Sequence, residues 1–468
     1  MLNHNINPDD TICAISTPTG IGGIAVARVS GPDTFQIIDR CWKGINLSET
    51  HSHTAHLGHI IDHETNQPLD QVVLTIYRGP HSFTGQDVAE IACHGSTFIQ
   101  QRLLEVLIHA GARLATAGEF TRRAVMAGRL DLAQAEAVAD LINAHSQRAA
   151  QLALSQLRGQ LSQRLNNLHD QLIHFAALLE LELDFSEEDV QFADREQLLE
   201  LARSIDTEIS RLIQSFQAGN AIRNGLPIAI VGAPNAGKST LLNALLADQR
   251  ALVSNIAGTT RDTIEDTLTI NGILLRLIDT AGLHHTTDTI ESLGIQRTQE
   301  TIQRAQIIIW VIDGTAPAQS TQQARQHILT PDLSEKKLLI LCNKSDHPDF
   351  HPEIINALRS ELPQDTDILH ISAHNNNHIL QVTQTIATLA EQLTTTADVA
   401  VANARHHEAL VAARQSLERV IEALQTGISA DLVALDLRQV TYHLGQITGQ
   451  ITTETILSEI FAKFCIGK

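Results

Sequence analysis

Positive charge, long apolar runs and cysteine are all scarce in this 468-residue sequence, and each scarcity removes a class of function. Lys and Arg number 33 against 53 Asp and Glu, a formal charge of −20. Long-range repulsion at that charge opposes a protein that coats nucleic acid by neutralising phosphates, so any nucleic acid must be met locally or presented by a partner. Apolar stretches such as Ile307 to Ile312 fall far short of the ~20 residues needed to cross a bilayer, and no membrane span is expected. The opening MLNHNINPDD has neither a basic segment nor an apolar signal core. Cys13, Cys41, Cys93, Cys342 and Cys465 form an odd, scattered set with no disulfide framework, which places the chain in a reducing cytoplasm.

What is present is a globular composition, 43% hydrophobic and 18% charged, able to bury a sizeable core. At roughly 100 to 200 residues per domain, the length predicts two to four domains. Up to about residue 125, short β-rich runs (TICAIS, GIAVARVSG, DQVVLTIYRG) alternate with helical ones between Gly, Pro and Asn breaks, the texture of an α+β domain. From Leu130 to about Gly219 the β signal disappears, and Leu132, Ala135, Val138, Ala139 and Ile142, then Leu152, Leu154, Leu157 and Leu161, recur at helical spacing. At Pro227 buried strands begin to alternate with helices (PIAIVG, LLRLIDT, IIIWVID, KLLILCNKSD), as in a doubly wound parallel sheet. Long helices return after about Leu393. The expected architecture is multidomain α/β and α: an N-terminal α+β domain over 1–127, a discontinuous helical domain over 128–222 and 391–468, and an inserted P-loop domain over 223–390.

The strand PIAIV runs directly into Gly232-Ala233-Pro234-Asn235-Ala236-Gly237-Lys238-Ser239 and then a helix opening at Thr240, a P-loop with its required flanks. Its glycines let backbone N–H groups of Asn235, Ala236 and Gly237 turn toward phosphates, Lys238 supplies charge and the Ser239 hydroxyl suits Mg²⁺. A Gly-containing strand-to-helix turn is the plainer explanation, and it loses because four further elements follow in order. Asp279-Thr280-Ala281-Gly282 ends a strand, where a carboxylate can hold the Mg²⁺ water shell and the Gly282 amide can meet a γ phosphate. Asn343-Lys344-Ser345-Asp346 ends another, and a carboxylate there accepts the two donors that guanine has and adenine lacks. Ser372-Ala373 supplies the final contact on the guanine ring. Between the P-loop and Asp279 lies Ser254-Asn255-Ile256-Ala257-Gly258-Thr259-Thr260-Arg261-Asp262, with Thr260 expected on Mg²⁺. GTP is the expected ligand. Leu283 follows Gly282 and cannot orient a water, so another group must do so. The missing positive charge comes either from Arg261 or from a monovalent cation held by Asn235 and switch-loop carbonyls.

Read together, several blocks resemble the MnmE (TrmE) family of tRNA wobble-uridine modification GTPases over essentially the full length. They are Thr17-Pro18-Thr19-Gly20-Ile21-Gly22-Gly23, Arg28-Val29-Ser30-Gly31, Ser82-Phe83-Thr84-Gly85, Glu90-Ile91-Ala92-Cys93-His94-Gly95, Gly118-Glu119-Phe120-Thr121-Arg122-Arg123-Ala124, Leu130-Asp131-Leu132-Ala133-Gln134-Ala135-Glu136-Ala137 and the terminal Phe464-Cys465-Ile466-Gly467-Lys468. The resemblance implies an N-terminal domain that dimerises and binds a tetrahydrofolate one-carbon carrier (5-formyl or methylene form), with Arg28, Glu90, Arg129 and Lys468 on the folate. Arg129 stands where the family has Lys, which keeps the charge and changes the geometry. It further implies a Ras-like G domain with K⁺ held by Asn235, Ser254, Ile256 and Thr259, and a hydrolytic water oriented by Glu291. His284 stands where the family has Arg. The implied partners are a second copy of the chain, an FAD-dependent MnmG-type flavoprotein and tRNA, met mainly through that complex. The implied reaction adds a (carboxymethyl)aminomethyl group at C5 of the wobble uridine, with Cys465 in a chemical role that stays open between nucleophile, acid and base.

Plainer readings compete at two places. A Cys fourth from the end suits prenylation, but Gly467 and Lys468 fit that signal poorly. His51, His53, His56, His59 and His63 follow no metal-ligand spacing and read as solvated histidines of a hairpin. Two other functions use the same G motifs. A ribosome-assembly timer would carry a basic RNA-binding appendage. A membrane-remodelling GTPase would carry a basic amphipathic patch or lipid anchor, and neither feature stands in the sequence.

Overall fold

The computed structural model describes residues 9–184, 195–249, 266–278, 291–317, 336–355, 366–395, 400–452 and 454–462, with isolated positions among 321–333, 359–363 and 464–467. The chain divides into two compact units, one of residues 1–139, 156–193 and 428–468 and the other of 140–155 and 194–427. Among the described residues no helix is long and apolar enough to cross a membrane.

The first unit is built on strands β1 (Ile12–Ile15), β2 (Ile24–Ser30), β3 (Trp42–Lys43), β4 (Thr54–Ile61), β5 (Pro68–Tyr77), β6 (Val88–His94) and β7 (Arg113–Leu114). Their order in the sheet is β3-β4-β5-β6-β2-β1-β7. Side chains alternate between the two faces of a strand, and that alternation decides what each face does. Val72, Leu74 and Ile76 of β5 join Ala27, Val29 and Ile91 in a core closed by Ile37 and Ile38 of the helix Thr34–Asp39 and Leu103 and Leu107 of the helix Thr97–His109. The other face carries a cross-strand row: Ala14 lies opposite Arg28, Arg28 opposite Glu90, and Glu90 opposite Thr75. His56 and His59 stand on β4, the strand of the hairpin read from the sequence, with the His56 ring 2.7 Å from the Thr54 hydroxyl.

In the helix Gln160–Asp184, buried Leu161, Leu165, Leu168, Leu172, Phe175 and Leu179 form one stripe at helical spacing. That helix packs with Ala430–Thr448, which buries Val433, Leu437, Val440 and Leu444. The last helix, Glu454–Phe461, sets Phe461 and the following Phe464 against Leu132 and Ala135.

The second unit contains β8 (Leu226–Val231), β9 (Asp266–Ile270), β10 (Ile273–Leu277), β11 (Ile307–Asp313), β12 (Lys337–Asn343) and β13 (Asp367–His370), ordered β13-β12-β11-β8-β10-β9. All neighbours pair in parallel except β9 with β10. The unbroken apolar run of β11 follows from burial on both faces. Ile307, Ile309 and Val311 pack with the helices Lys238–Gln249 and Ile379–Thr394, and Ile308, Trp310 and Ile312 pack against Ile302 and Ala305. The sheet is doubly wound. From β8 the chain goes first to β9 and β10 on one side and then to β11 on the other, so the carboxyl end of β8 is the topological switch point, the usual ligand position in such sheets. The helices Arg195–Gln214 and Ala404–Thr426 pack together in this unit. The unit boundaries therefore run through the helical segments 128–222 and 391–468: Gln160–Asp184 groups with Ala430–Thr448, and Arg195–Gln214 with Ala404–Thr426.

Candidate functional site

The loop after β8 has a backbone that side chains resist. Gly232 and Gly237 have φ of 150° and 97°, and Asn235 adopts 62°. A Cβ on Gly232 would lie 2.2 Å from the Val311 carbonyl oxygen, and one on Gly237 2.1 Å from Nδ2 of Asn343. Lys238 opens the following helix, and its Nζ donates to the carbonyls of Gly232 (3.0 Å) and Ala233 (2.9 Å). Burial lowers the Lys238 pKa below its ordinary value.

Asn343 ends β12 and is 3% exposed. Its Nδ2 donates to the Ala236 carbonyl at 2.8 Å, and its Oδ1 accepts from the Ala373 N–H at 2.9 Å. One side chain thus ties the P-loop to the Ser372-Ala373 segment, 107 residues away on one side and 30 on the other. Lys344 follows at φ 67° and pairs with Asp313 at 2.6 Å. A hydrogen bond from the Ser372 hydroxyl holds the Asp346 carboxyl below the usual carboxylate range, and Asn375 Nδ2 donates to its Oδ2 at 3.0 Å. The structure therefore gathers Ala236, Gly237, Asn343, Asp346, Ser372 and Ala373 at one end of the sheet, with Lys238 and Ser239 at the start of the helix beneath the loop.

Ser254, Asn255, Ile256, Ala257, Gly258, Thr259, Thr260, Arg261, Asp279, Thr280, Ala281, Gly282, Leu283 and His284 lie outside the described residues, as does Lys468. Glu291 begins the helix Glu291–Arg304. Two residues at this end of the sheet escape a motif search: Asp313, whose signal is its place at the end of the strand IIIWVID, and Asn375, which follows the Ser372-Ala373 pair.

In the first unit the Arg28 guanidinium donates to Glu90 Oε1 from both Nε (3.0 Å) and Nη2 (2.7 Å). It lies 5.2 Å from the Phe83 ring centroid and 5.7 Å from that of Phe120. Phe83 also lines an open cleft of about 380 Å³ with His53, Tyr77, His81, Ser82 and Arg129. Arg28 thus stands over the ring of a residue that shares the cleft with Arg129. Of the cleft's other lining residues, Tyr77 ends β5, His81 and Ser82 lie in the loop beyond it, and His53 precedes β4.

The C-terminal segment is docked onto the same unit. The Ser16 hydroxyl donates to the Gly467 carbonyl at 3.1 Å, and the Gly118 N–H donates to the Cys465 carbonyl at 3.4 Å. Gly467 has φ 94°, and a Cβ there would lie 2.3 Å from the Ile15 carbonyl oxygen. Cys465 is exposed, whereas the other four cysteines are buried and burial pushes the Cys13 and Cys41 thiols up to about 12.

Residues 11–129 match the family described as the GTP-binding protein TrmE N-terminus, and residues 132–465 match the MnmE helical domain. The tRNA modification GTPase MnmE of Parabacteroides distasonis is 47% identical over 464 residues, covering 98% of this chain and all of that one. Those of Cytophaga hutchinsonii and Christiangramia forsetii are 47% and 44% identical, over 99% and 98% of this chain and 98% and 99% of theirs. The chain belongs to the MnmE family. It is therefore a GTP hydrolase involved in tRNA modification.

Proposed function

We infer that this MnmE-family chain is a potassium-activated GTPase that works with a flavoprotein partner. Together they add a (carboxymethyl)aminomethyl group at C5 of the wobble uridine of certain tRNAs, from a tetrahydrofolate one-carbon donor. The observation that carries the reading is the docked C-terminus. Gly467 sits on Ile15 and Ser16, next to Ala14, the residue directly opposite the Arg28 that is paired with Glu90. A second feature of the family matches agrees with an inserted Ras-like G domain: the helical-domain match begins at residue 132, ends at 465 and so brackets the whole doubly wound sheet.

Each implied group has a proposed donor set. Asp346 presents a carboxylate for the paired donors of guanine, held by Ser372 and Asn375. Ser239 places a hydroxyl at the second residue of the helix, a hard oxygen suited to Mg²⁺, with Thr260 as its proposed companion. Asn235 supplies an exposed neutral amide suited to K⁺, with Ser254, Ile256 and Thr259 completing that set. When bound, these cations neutralise charge that develops on the transferring phosphoryl group, while Glu291 orients the attacking water. The cleft beside Phe83 joins aromatic and cationic walls, which suit a flat heterocycle bearing carboxylates, with Arg28, Glu90, Arg129 and Lys468 as its holders. The folate supplies the one-carbon unit, and the exposed Cys465 thiol is the chain's candidate reacting group beside it.

The sheet face around this row exposes Ile24, Leu57 and Val73, with Ile21 and Phe98 nearby in sequence, and a second copy of the chain is the proposed cover. The chain's acidic balance supports a flavoprotein partner that supplies most of the basic tRNA-binding face. Nucleoside analysis of tRNA from cells lacking the chain tests the reading. The modified wobble uridine has to vanish and return with the wild-type gene, and an unchanged profile in the deletion refutes the assignment. Rescue by Cys465→Ser would remove only the thiol's role.

A further inference from the structure

Asp313 is the last residue of β11 and lies directly across from Asn343 in the parallel register with β12. Its carboxylate is doubly committed. Oδ1 accepts from the Thr315 N–H (3.0 Å) and hydroxyl (2.7 Å), and Oδ2 receives the Lys344 ammonium at 2.6 Å. The neighbouring backbone repeats the grip: the Gly314 N–H donates to the Asn343 carbonyl at 3.0 Å, and the His351 N–H donates to the Gly314 carbonyl at 2.8 Å. A Cβ on Gly314 would lie 2.4 Å from the Phe350 ring, so residues 313–315 are sandwiched by the loop that follows β12.

Lys344 holds φ 67°, a conformation that costs a non-glycine residue on the order of 1 kcal/mol and persists only where its surroundings enforce it. Its ammonium is neutralised by Asp313 rather than left as a mobile point charge. The methylene stem is consequently stretched between the loop backbone and the end of β11, two residues from the Asp346 carboxylate. An apolar bar held beside a carboxylate is suited to support the flat face of a purine while the carboxylate reads its edge.

We propose that Asp313 is a positioning residue for guanine recognition, acting through Lys344 by anchoring the ammonium so that the stem walls the base slot next to Asp346. The proposal rests on the reading that Asp346 contacts the base. Losing one charge-assisted anchor has to weaken nucleotide binding by roughly tenfold without touching the groups that meet the phosphates.

The test measures GDP affinity and GTP turnover on the full chain. Asp313→Ala raises the Kd for GDP about tenfold with kcat at saturating GTP within about twofold, and Asp313→Asn, which retains an acceptor for Lys344, recovers most of the loss. In a Lys344→Ala background, Asp313→Ala adds nothing. Additive losses, an unchanged Kd in Asp313→Ala, or a fall in kcat with Kd intact each overturn the proposal. Should Asp313→Ala fail to fold, Lys344→Met keeps the stem but removes the anchored group. It has to lose similar affinity, and wild-type binding by that variant refutes the role. Asp346→Asn separates this proposal from the reading beneath it. Exchanging an acceptor for an amide donor has to shift preference from GTP toward XTP, whose base carries a carbonyl in place of guanine's amine. No shift removes the base-reading assignment and the proposal with it.

Discussion

Replacing Asn343 by Ala removes two hydrogen bonds in one step, at a side chain that is 3% exposed. The Ala236 carbonyl loses its 2.8 Å donor, and the Ala373 N–H loses its 2.9 Å acceptor. A buried polar group left without a partner costs about 1–3 kcal/mol, so two such groups predict a loss of roughly 2–6 kcal/mol. A unit of this size shifts by about 2–4 °C per kcal/mol, which makes the expected drop in the second unit's melting transition about 4–24 °C. Asn343→Asp sharpens the test. The carboxylate still accepts from the Ala373 N–H, but it faces the Ala236 carbonyl with a second acceptor where a donor stood, so the P-loop side fails while the Ala373 side holds. GDP binding followed by fluorescence and unfolding followed by circular dichroism read the two effects. A melting transition within 2 °C of wild type for Asn343→Ala, with GDP affinity unchanged, would refute the view that this residue joins the two loops.

Glu119 is fully buried, and burial alone would raise its pKa, but hydrogen bonds from Arg113, the Thr116 N–H and Arg123 outweigh that and hold it at about 2 against an ordinary 4.5. A depressed carboxyl stabilises above the unfolded pKa, so roughly 3 kcal/mol is present above pH 4.5 and disappears as pH falls toward 2. Acid titration of the first unit's stability should show this slope and Glu119→Gln should flatten it; equal slopes would discard the account. Potassium should accelerate GTP turnover well beyond sodium, and Asn235→Ala should erase that difference, an expectation that equal wild-type rates in the two salts would end. Glu291→Ala should leave GTP affinity nearly intact while turnover falls by about two orders of magnitude or more, and normal turnover would move the water-orienting role elsewhere. Gly467→Ala places a Cβ against the Ile15 carbonyl at a positive φ and should release the C-terminal segment. Modification should then be lost while GTP hydrolysis persists, and full modification by that variant would contradict the importance of the docked terminus.

Local chemistry explains what could be read without coordinates. Phosphate loops need glycines at fixed offsets because only glycine tolerates backbone such as Gly232 and Gly237 adopt, and strands buried on both faces need uninterrupted apolar residues such as Ile307 to Ile312. Those constraints act between neighbours in the chain, so the sequence by itself determined the P-loop, the doubly wound sheet, the Asn343-Lys344-Ser345-Asp346 loop at its strand end and the long helices. It also placed Arg28 and Glu90 in blocks resembling a known family, although nothing in their spacing said that they form an ion pair. That pairing was decided by the register of β2 against β6, a choice made by the packing of Ala27, Val29 and Ile91 on the opposite face. The same holds for the link between Asn343, Ala236 and Ala373, for the anchoring of Lys344 by Asp313, and for the return of Gly467 to Ser16. Each joins residues from 30 to 451 positions apart. A sequence pattern carries only short-range preference, and contacts at such separation exist because the hydrophobic cores bring their elements to one place. Tertiary structure alone decided these contacts, and with them which residues meet at the two sites.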